Sequence, residues 1–125
     1  MTQVLIVEDN EMNRDMLGRR LIRKGYEIIY AFNGEEAIEL AKNNPDIILM
    51  DLSLPEMSGW DAIKALRMME ATSDIPIIAL TAHAMSEEME KAFEAGCDDF
   101  LTKPIELDIL LEKMESLLKN SKEEP

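Results

Sequence analysis

Short apolar blocks alternate with amphipathic stretches along the whole chain. Val4-Leu5-Ile6-Val7 is a fully apolar, β-branched run that predicts a buried strand ending at Glu8-Asp9-Asn10. A helix follows over residues 11–24, with Leu17 and Leu21 on one face and Gly25 as its stop. Residues 26–31 read as a second strand of mixed polarity, suited to a sheet edge. Asn33-Gly34 opens a helix over residues 35–43, which places Ala37, Leu40 and Ala41 on one side, and Pro45 breaks it. Ile47-Ile48-Leu49-Met50 is the third strand and ends at Asp51. After a loop over residues 52–59, a helix over residues 60–71 turns Ile63 and Leu66 inward. The fourth strand spans residues 75–80 and ends at Thr81. Ser86 caps a helix through Ala95 that Gly96 ends, and residues 99–102 form a short fifth strand ending at Lys103-Pro104. The last helix carries Leu107, Leu110, Leu111, Met114, Leu117 and Leu118 at helical spacing.

Strict alternation of five strands with five helices implies right-handed βαβ units. The expected fold is a flavodoxin-like, doubly wound, five-stranded parallel sheet in the order 2-1-3-4-5, with five helices. Ligands of such sheets sit beyond the carboxyl ends of the strands, where strands 1 and 3 meet. At 125 residues the chain makes one domain, expected over residues 1–119, with a polar, frayed tail over residues 120–125.

Composition narrows the function. Aspartate and glutamate number 26 against 13 lysines and arginines, a net charge of −13. That charge repels phosphate backbones and anionic lipid, so neither nucleic acid nor membrane is an expected partner. No apolar run approaches the roughly 20 residues that span a bilayer. The amino terminus lacks the basic and cleavage regions of a signal peptide. Cys97 is the one cysteine, so neither a disulfide framework nor a zinc site is available, and a cytoplasmic setting is expected. The 10 methionines are expected mostly in the core, as flexible packing.

The residues that leave the strands carry the chemistry. Glu8 and Asp9 follow strand 1 and Asp51 ends strand 3, so three carboxylates converge where these strands are neighbours. Like charges in one cleft call for a cation, and an oxygen-only set of this size suits Mg²⁺. Thr81 and Lys103, from strands 4 and 5, add a hydroxyl donor and an ammonium. A carboxylate nucleophile beside a metal and a lysine suits phosphoryl transfer, with Asp51 as acceptor, Asp9 as direct metal ligand and Glu8 acting through water. Singly, an aspartate after a strand is an ordinary turn residue and a lysine is an ordinary solvated one. Four matched groups at four strand ends are a poor fit to chance.

These stretches closely resemble the receiver domain of bacterial response regulators. The resemblance is carried by Val4 to Asn10, Ile47 to Gly59, Ile77 to Ala82 and Phe100 to Pro104, and it covers essentially the whole chain. It implies that Asp51 is the phosphoacceptor, charged by a histidine kinase or a histidine phosphotransfer protein. It further implies that Glu8, Asp9, Asp51 and the backbone carbonyl of Ser53 hold Mg²⁺. Thr81 then matches the switch hydroxyl, Phe100 the switch aromatic and Lys103 the phosphate-binding lysine, with a cis Lys103-Pro104 bond. The chemistry implied is self-phosphorylation and autodephosphorylation rather than turnover of a separate substrate. The pattern is also similar to single-domain regulators of the cell-cycle phosphorelay type. Many receivers carry Asp where Glu8 stands and Tyr where Phe100 stands, so switching here rests on ring packing alone. With no output module after the last helix, output is expected to be contact with a downstream protein, through the fourth helix, fifth strand and fifth helix. The first helix and the loop after strand 5 are expected to meet the phosphodonor.

Rival readings have specific requirements. A phosphohydrolase needs a second acid two residues after Asp51, where Ser53 stands. A flavin module needs a hydroxyl- or glycine-rich loop after strand 1, where Glu8-Asp9 would repel phosphate. A pseudo-receiver would not need the intact acceptor set. His83 reads as a solvated loop residue, Cys97 as a small packing residue, and Glu87, Glu88 and Glu90 as a helix start with a solvated face. Trp60 either packs on the loop or lies in a contact surface.

Overall fold

The apolar blocks become the strands of one parallel sheet. The computed structural model describes residues 1–82 and 86–123. Its strands are β1 (Gln3–Val7), β2 (Glu27–Ala31), β3 (Ile47–Asp51), β4 (Ile77–Thr81) and β5 (Asp99–Thr102). They alternate with α1 (Glu11–Arg23), α2 (Gly34–Ala41), α3 (Gly59–Met68), α4 (Ser86–Ala95) and α5 (Leu107–Glu123). The sheet order is β2-β1-β3-β4-β5, with every neighbouring pair parallel. β2 is an edge strand, as its mixed polarity requires, and β3 and β4 are buried throughout.

Strand alternation splits the core into two layers. Leu5, Val7, Ile48, Met50, Ile77 and Ala79 point to one face and pack beneath α2, α3 and α4. Val4, Ile6, Ile47, Leu49, Ile78 and Leu80 point to the other, under Leu17 and Leu21 of α1 and Leu110, Met114 and Leu118 of α5. Each fully buried Leu or Ile side chain contributes about 1.5–3 kcal/mol, so these layers fix where the strand ends lie.

Several elements differ from expectation. α3 ends at Met68, three residues early, because the buried Thr72 hydroxyl donates to the Leu66 carbonyl at 2.6 Å and turns the chain back on itself. α2 ends at Ala41 and the turn that follows puts Asn44 at φ 62. α5 runs on past residue 119, because a polar last turn needs only its backbone bonds and no burial. The methionines are mostly not core: Met50 and Met114 are the buried ones among the described residues, while Met1, Met12, Met16 and Met68 stand exposed. Met12 and Met16, one turn apart, fall on the outer face of α1, opposite Leu17 and Leu21. The expected cap Ser86 begins α4, and its side chain falls outside those described, as does the whole of His83.

Candidate functional site

The carboxyl ends of β1, β3, β4 and β5 form one cleft. Glu8 extends β1 by one residue, its N–H donating to the Ala31 carbonyl at 3.1 Å. Asn10 then caps α1, its side chain accepting from the Asn13 N–H at 2.9 Å. Arg14, one turn into α1, donates to the Glu8 carbonyl at 2.9 Å and lies 4.0 Å over the Phe32 ring. The acidic turn is thereby held from both sides. Behind β3, Gly59 begins α3 against the strand end: a Cβ there would run into the backbone of Asp51 and Leu52, so only glycine permits the approach.

Glu8, Asp9 and Asp51 each place a carboxylate oxygen within 4.8 Å of the others. Glu8 and Asp51 are buried, at 4% and 2% exposure, and Asp9 is open to solvent. Lys103 joins the buried pair, its Nζ lying 3.0 Å from Glu8 Oε1 and 3.1 Å from Asp51 Oδ2. The other Asp51 oxygen, Oδ1, accepts from the Ser53 N–H at 3.0 Å. Lys103 is presented by the turn after β5, where its N–H donates to the Thr81 carbonyl at 2.8 Å and its bond to Pro104 is cis. The Thr81 side chain is buried, and its hydroxyl donates to Glu88 Oε2 of α4 at 3.3 Å.

One ammonium cannot neutralise two buried carboxylates. Burial, together with a hydrogen bond to Asp51, pushes the Glu8 pKa from 4.5 to about 7 against the opposing effect of Lys103. Burial also works to lower the Lys103 pKa, but its bonds to Glu8 and Asp51 outweigh that and raise it. The crowding of the Glu8–Asp51 pair thus favours holding a proton at this cleft when no cation is bound, with burial raising Glu8.

Phe100, half-buried within β5 opposite Ala79, meets the ring of Phe93 on α4 edge to face, with centroids 5.8 Å apart. Lys113 of α5 lies 5.8 Å from the centre of the Phe100 ring and pairs with Asp99 at 2.9 Å. Trp60 packs against the core layer beneath α2–α4, with Lys91 of α4 lying 4.7 Å over its ring. Cys97 is buried in that same layer and its thiol is pushed up to about 11 by burial, as a packing residue should be.

Six of the seven residues singled out from the sequence are found at this end of the sheet, with Ser53 exposed beside Asp51; the seventh, Phe100, lies within β5 opposite Ala79, two residues before the strand end. The reading of Glu88 as part of a solvated face needs correction. Glu87 and Glu90 are exposed, but Glu88 is half-buried and holds the Thr81 hydroxyl. Arg14 and Phe93 were also not foreseen. No sequence motif marks any of the three, because each acts across a gap between elements.

No helix among the described residues is long and apolar enough to cross a membrane. Residues 4–115 match the response regulator receiver domain family. The polar-differentiation response regulator DivK of Brucella anthropi is 41% identical over 116 residues, covering 92% of this chain and 94% of that protein. The chemotaxis protein CheY4 of Vibrio cholerae superposes with a TM-score of 0.88 at 31% identity, over 94% of this chain and 98% of that one. The receiver domain of a Pseudomonas aeruginosa sensor histidine kinase, solved with a magnesium ion coordinated in its active site cleft, does so with a TM-score of 0.88 at 33% identity and the same coverage. The chain thus belongs to the response regulator receiver domain family, the phosphorylation-controlled switches of two-component signalling, which are signalling proteins rather than classical enzymes.

Proposed function

We propose that Asp51 accepts a phosphoryl group from a histidine kinase or histidine phosphotransfer protein, and that Thr81 and Phe100 convert this into a change of contact with a downstream protein. The observation that carries the reading is the Lys103 ammonium bridging the buried carboxylates of Glu8 and Asp51. An Asp51 oxygen would attack phosphorus, forming the acyl phosphate as the donor's P–N bond breaks. The donor nitrogen leaves with the bonding pair. Lys103 is within reach of the oxygens that become negative, and the Ser53 N–H already orients the carboxylate. Water attacking the same phosphorus would return free Asp51 and inorganic phosphate.

The donor set fits Mg²⁺. Three carboxylates against one ammonium leave two negative charges uncompensated, the charge of one divalent cation, and all the ligands are oxygen. Glu8, Asp9, Asp51 and the Ser53 carbonyl would hold it. When bound, it supplies charge neutralisation for the transferring group and leaves Glu8 ionised. The buried thiol of Cys97, the chain's one cysteine, supports a reducing, cytoplasmic setting.

The test is incubation with a small acyl-phosphate donor and Mg²⁺, read by intact mass. The wild type should gain one phosphoryl group, labile to hydroxylamine, and Asp51→Asn none. Equal labelling of the Asn variant would place the chemistry elsewhere.

A further inference from the structure

Thr81 ends β4 with its hydroxyl buried and donating to Glu88 Oε2 at 3.3 Å. Glu88 is the third residue of α4, so this bond runs from the first turn of the helix to the sheet. Farther along, α4 is held by different means: Ala92 and Ala95 lie in the core, Lys91 covers the Trp60 ring and Phe93 meets Phe100. A helix amino terminus favours a carboxylate, so Glu88 sits there as a ready, charged acceptor.

A hydroxyl has one proton to donate. We infer that Glu88 is a positioning residue of the switch, whose carboxylate competes with a phosphoryl group on Asp51 for the Thr81 hydroxyl and so biases the unmodified state. The inference rests on the assignment of Asp51 as acceptor. When the hydroxyl turns toward the phosphoryl oxygens, Glu88 loses its donor. A half-buried carboxylate without a donor is better solvated if the first turn of α4 moves outward. The energetic opposition to switching therefore lies partly in this one bond, and removing the acceptor should make the phosphorylated arrangement easier to reach. By linkage, the same bond should weaken binding of anything that mimics the phosphoryl group.

Beryllium fluoride with Mg²⁺, a noncovalent stand-in for a phosphoryl group on a carboxylate, tests this by calorimetric titration of the full chain. Glu88→Ala should bind it about three- to tenfold more tightly than the wild type, the range expected for loss of one competing hydrogen bond. Glu88→Gln removes the charge but keeps an oxygen that can accept from Thr81, and it should lie nearer the wild type than Glu88→Ala does. In a Thr81→Ala background, Glu88→Ala should change the affinity by less than twofold, because the shared hydroxyl is gone. Tightening of equal size in that background, or equal tightening by Gln and Ala, would assign the effect to long-range charge and overturn the inference. So would an unchanged affinity in Glu88→Ala. A wild type that neither binds beryllium fluoride nor accepts a phosphoryl group would instead overturn the assignment of Asp51.

Discussion

The two ends of the sheet use the same chemistry to opposite effect. At the amino end of β4, the Arg67 guanidinium donates to the carbonyls of Gly96 at 2.8 Å, Ser73 at 2.9 Å and Ile75 at 2.7 Å, and pairs with Asp98 at 3.0 Å. Asp98 Oδ2 also accepts the Ile77 N–H at 2.8 Å. One cation and one carboxylate are thus satisfied together, and they tie the end of α3 and the start of β4 to the turn before β5. At the carboxyl end, one Lys103 ammonium serves two buried carboxylates with a third nearby. The first arrangement has its charges balanced and four of the guanidinium's five N–H donors used, and serves stability. The second keeps an excess of negative charge in a buried cleft, which costs stability and leaves a demand for a cation. A protein can carry such a cleft because the far end and the two core layers compensate for it.

The largest expected consequence lies at the amino end. Arg67→Ala should lower the unfolding free energy by about 2–4 kcal/mol, because three carbonyls and a carboxylate lose their donor at once. Denaturant titration measures it. If the folded variant still accepts a phosphoryl group at Asp51, the two ends are energetically separable. A loss below about 0.5 kcal/mol would make Arg67 an ordinary surface cation.

The second test is pH. In the metal-free protein, Glu8 has a folded-state pKa of about 7 against 4.5 when free, so the folded state holds that proton more tightly. Its contribution is fully present below pH 4.5 and is lost as pH rises through about 7. Unfolding free energy should fall across that window with a slope of up to about 1.4 kcal/mol per pH unit from this group. Glu8→Gln should flatten the profile. Saturating Mg²⁺ should abolish the fall, since cation binding requires the ionised form, and Mg²⁺ affinity should therefore rise with pH up to about 7. A metal-free profile that is level from pH 4.5 to 7 in the wild type would refute the strained state of Glu8.

The smallest effects give the sharpest contrast, because a single chemical change should take opposite signs. Asp98→Asn keeps an oxygen for the Ile77 N–H but loses the ion pair, and should destabilise by about 1 kcal/mol. Asp51→Asn keeps an oxygen for the Ser53 N–H and relieves Glu8 of a neighbouring charge, and without metal it should stabilise by about 1 kcal/mol. Melting temperatures in chelator read both. Equal signs would remove the distinction between the two ends.

Much of this was legible in the chain because it depends on local order. The unbroken apolar run of Val4 to Val7 and the helical spacing of Leu110, Met114 and Leu118 reflect which faces must leave water, and that requirement is written residue by residue. Alternation of the elements then narrows the sheet to a few parallel orders, and the order adopted, β2-β1-β3-β4-β5, brings the ends of β1 and β3 together. What could not be read is where polar groups find partners across gaps between elements. Thr72 is an unremarkable residue until the fold places its hydroxyl on the Leu66 carbonyl and ends α3 early. Arg67 is one of several basic residues until α3, β4 and the turn before β5 converge on it. Glu88 shares its sequence context with the solvated Glu87 and Glu90, and only the docking of α4 beside the end of β4 separates it from them. Apolar burial is a property of faces, which periodicity encodes. A hydrogen bond needs its donor and acceptor about 3 Å apart, so its partners are chosen by the tertiary structure.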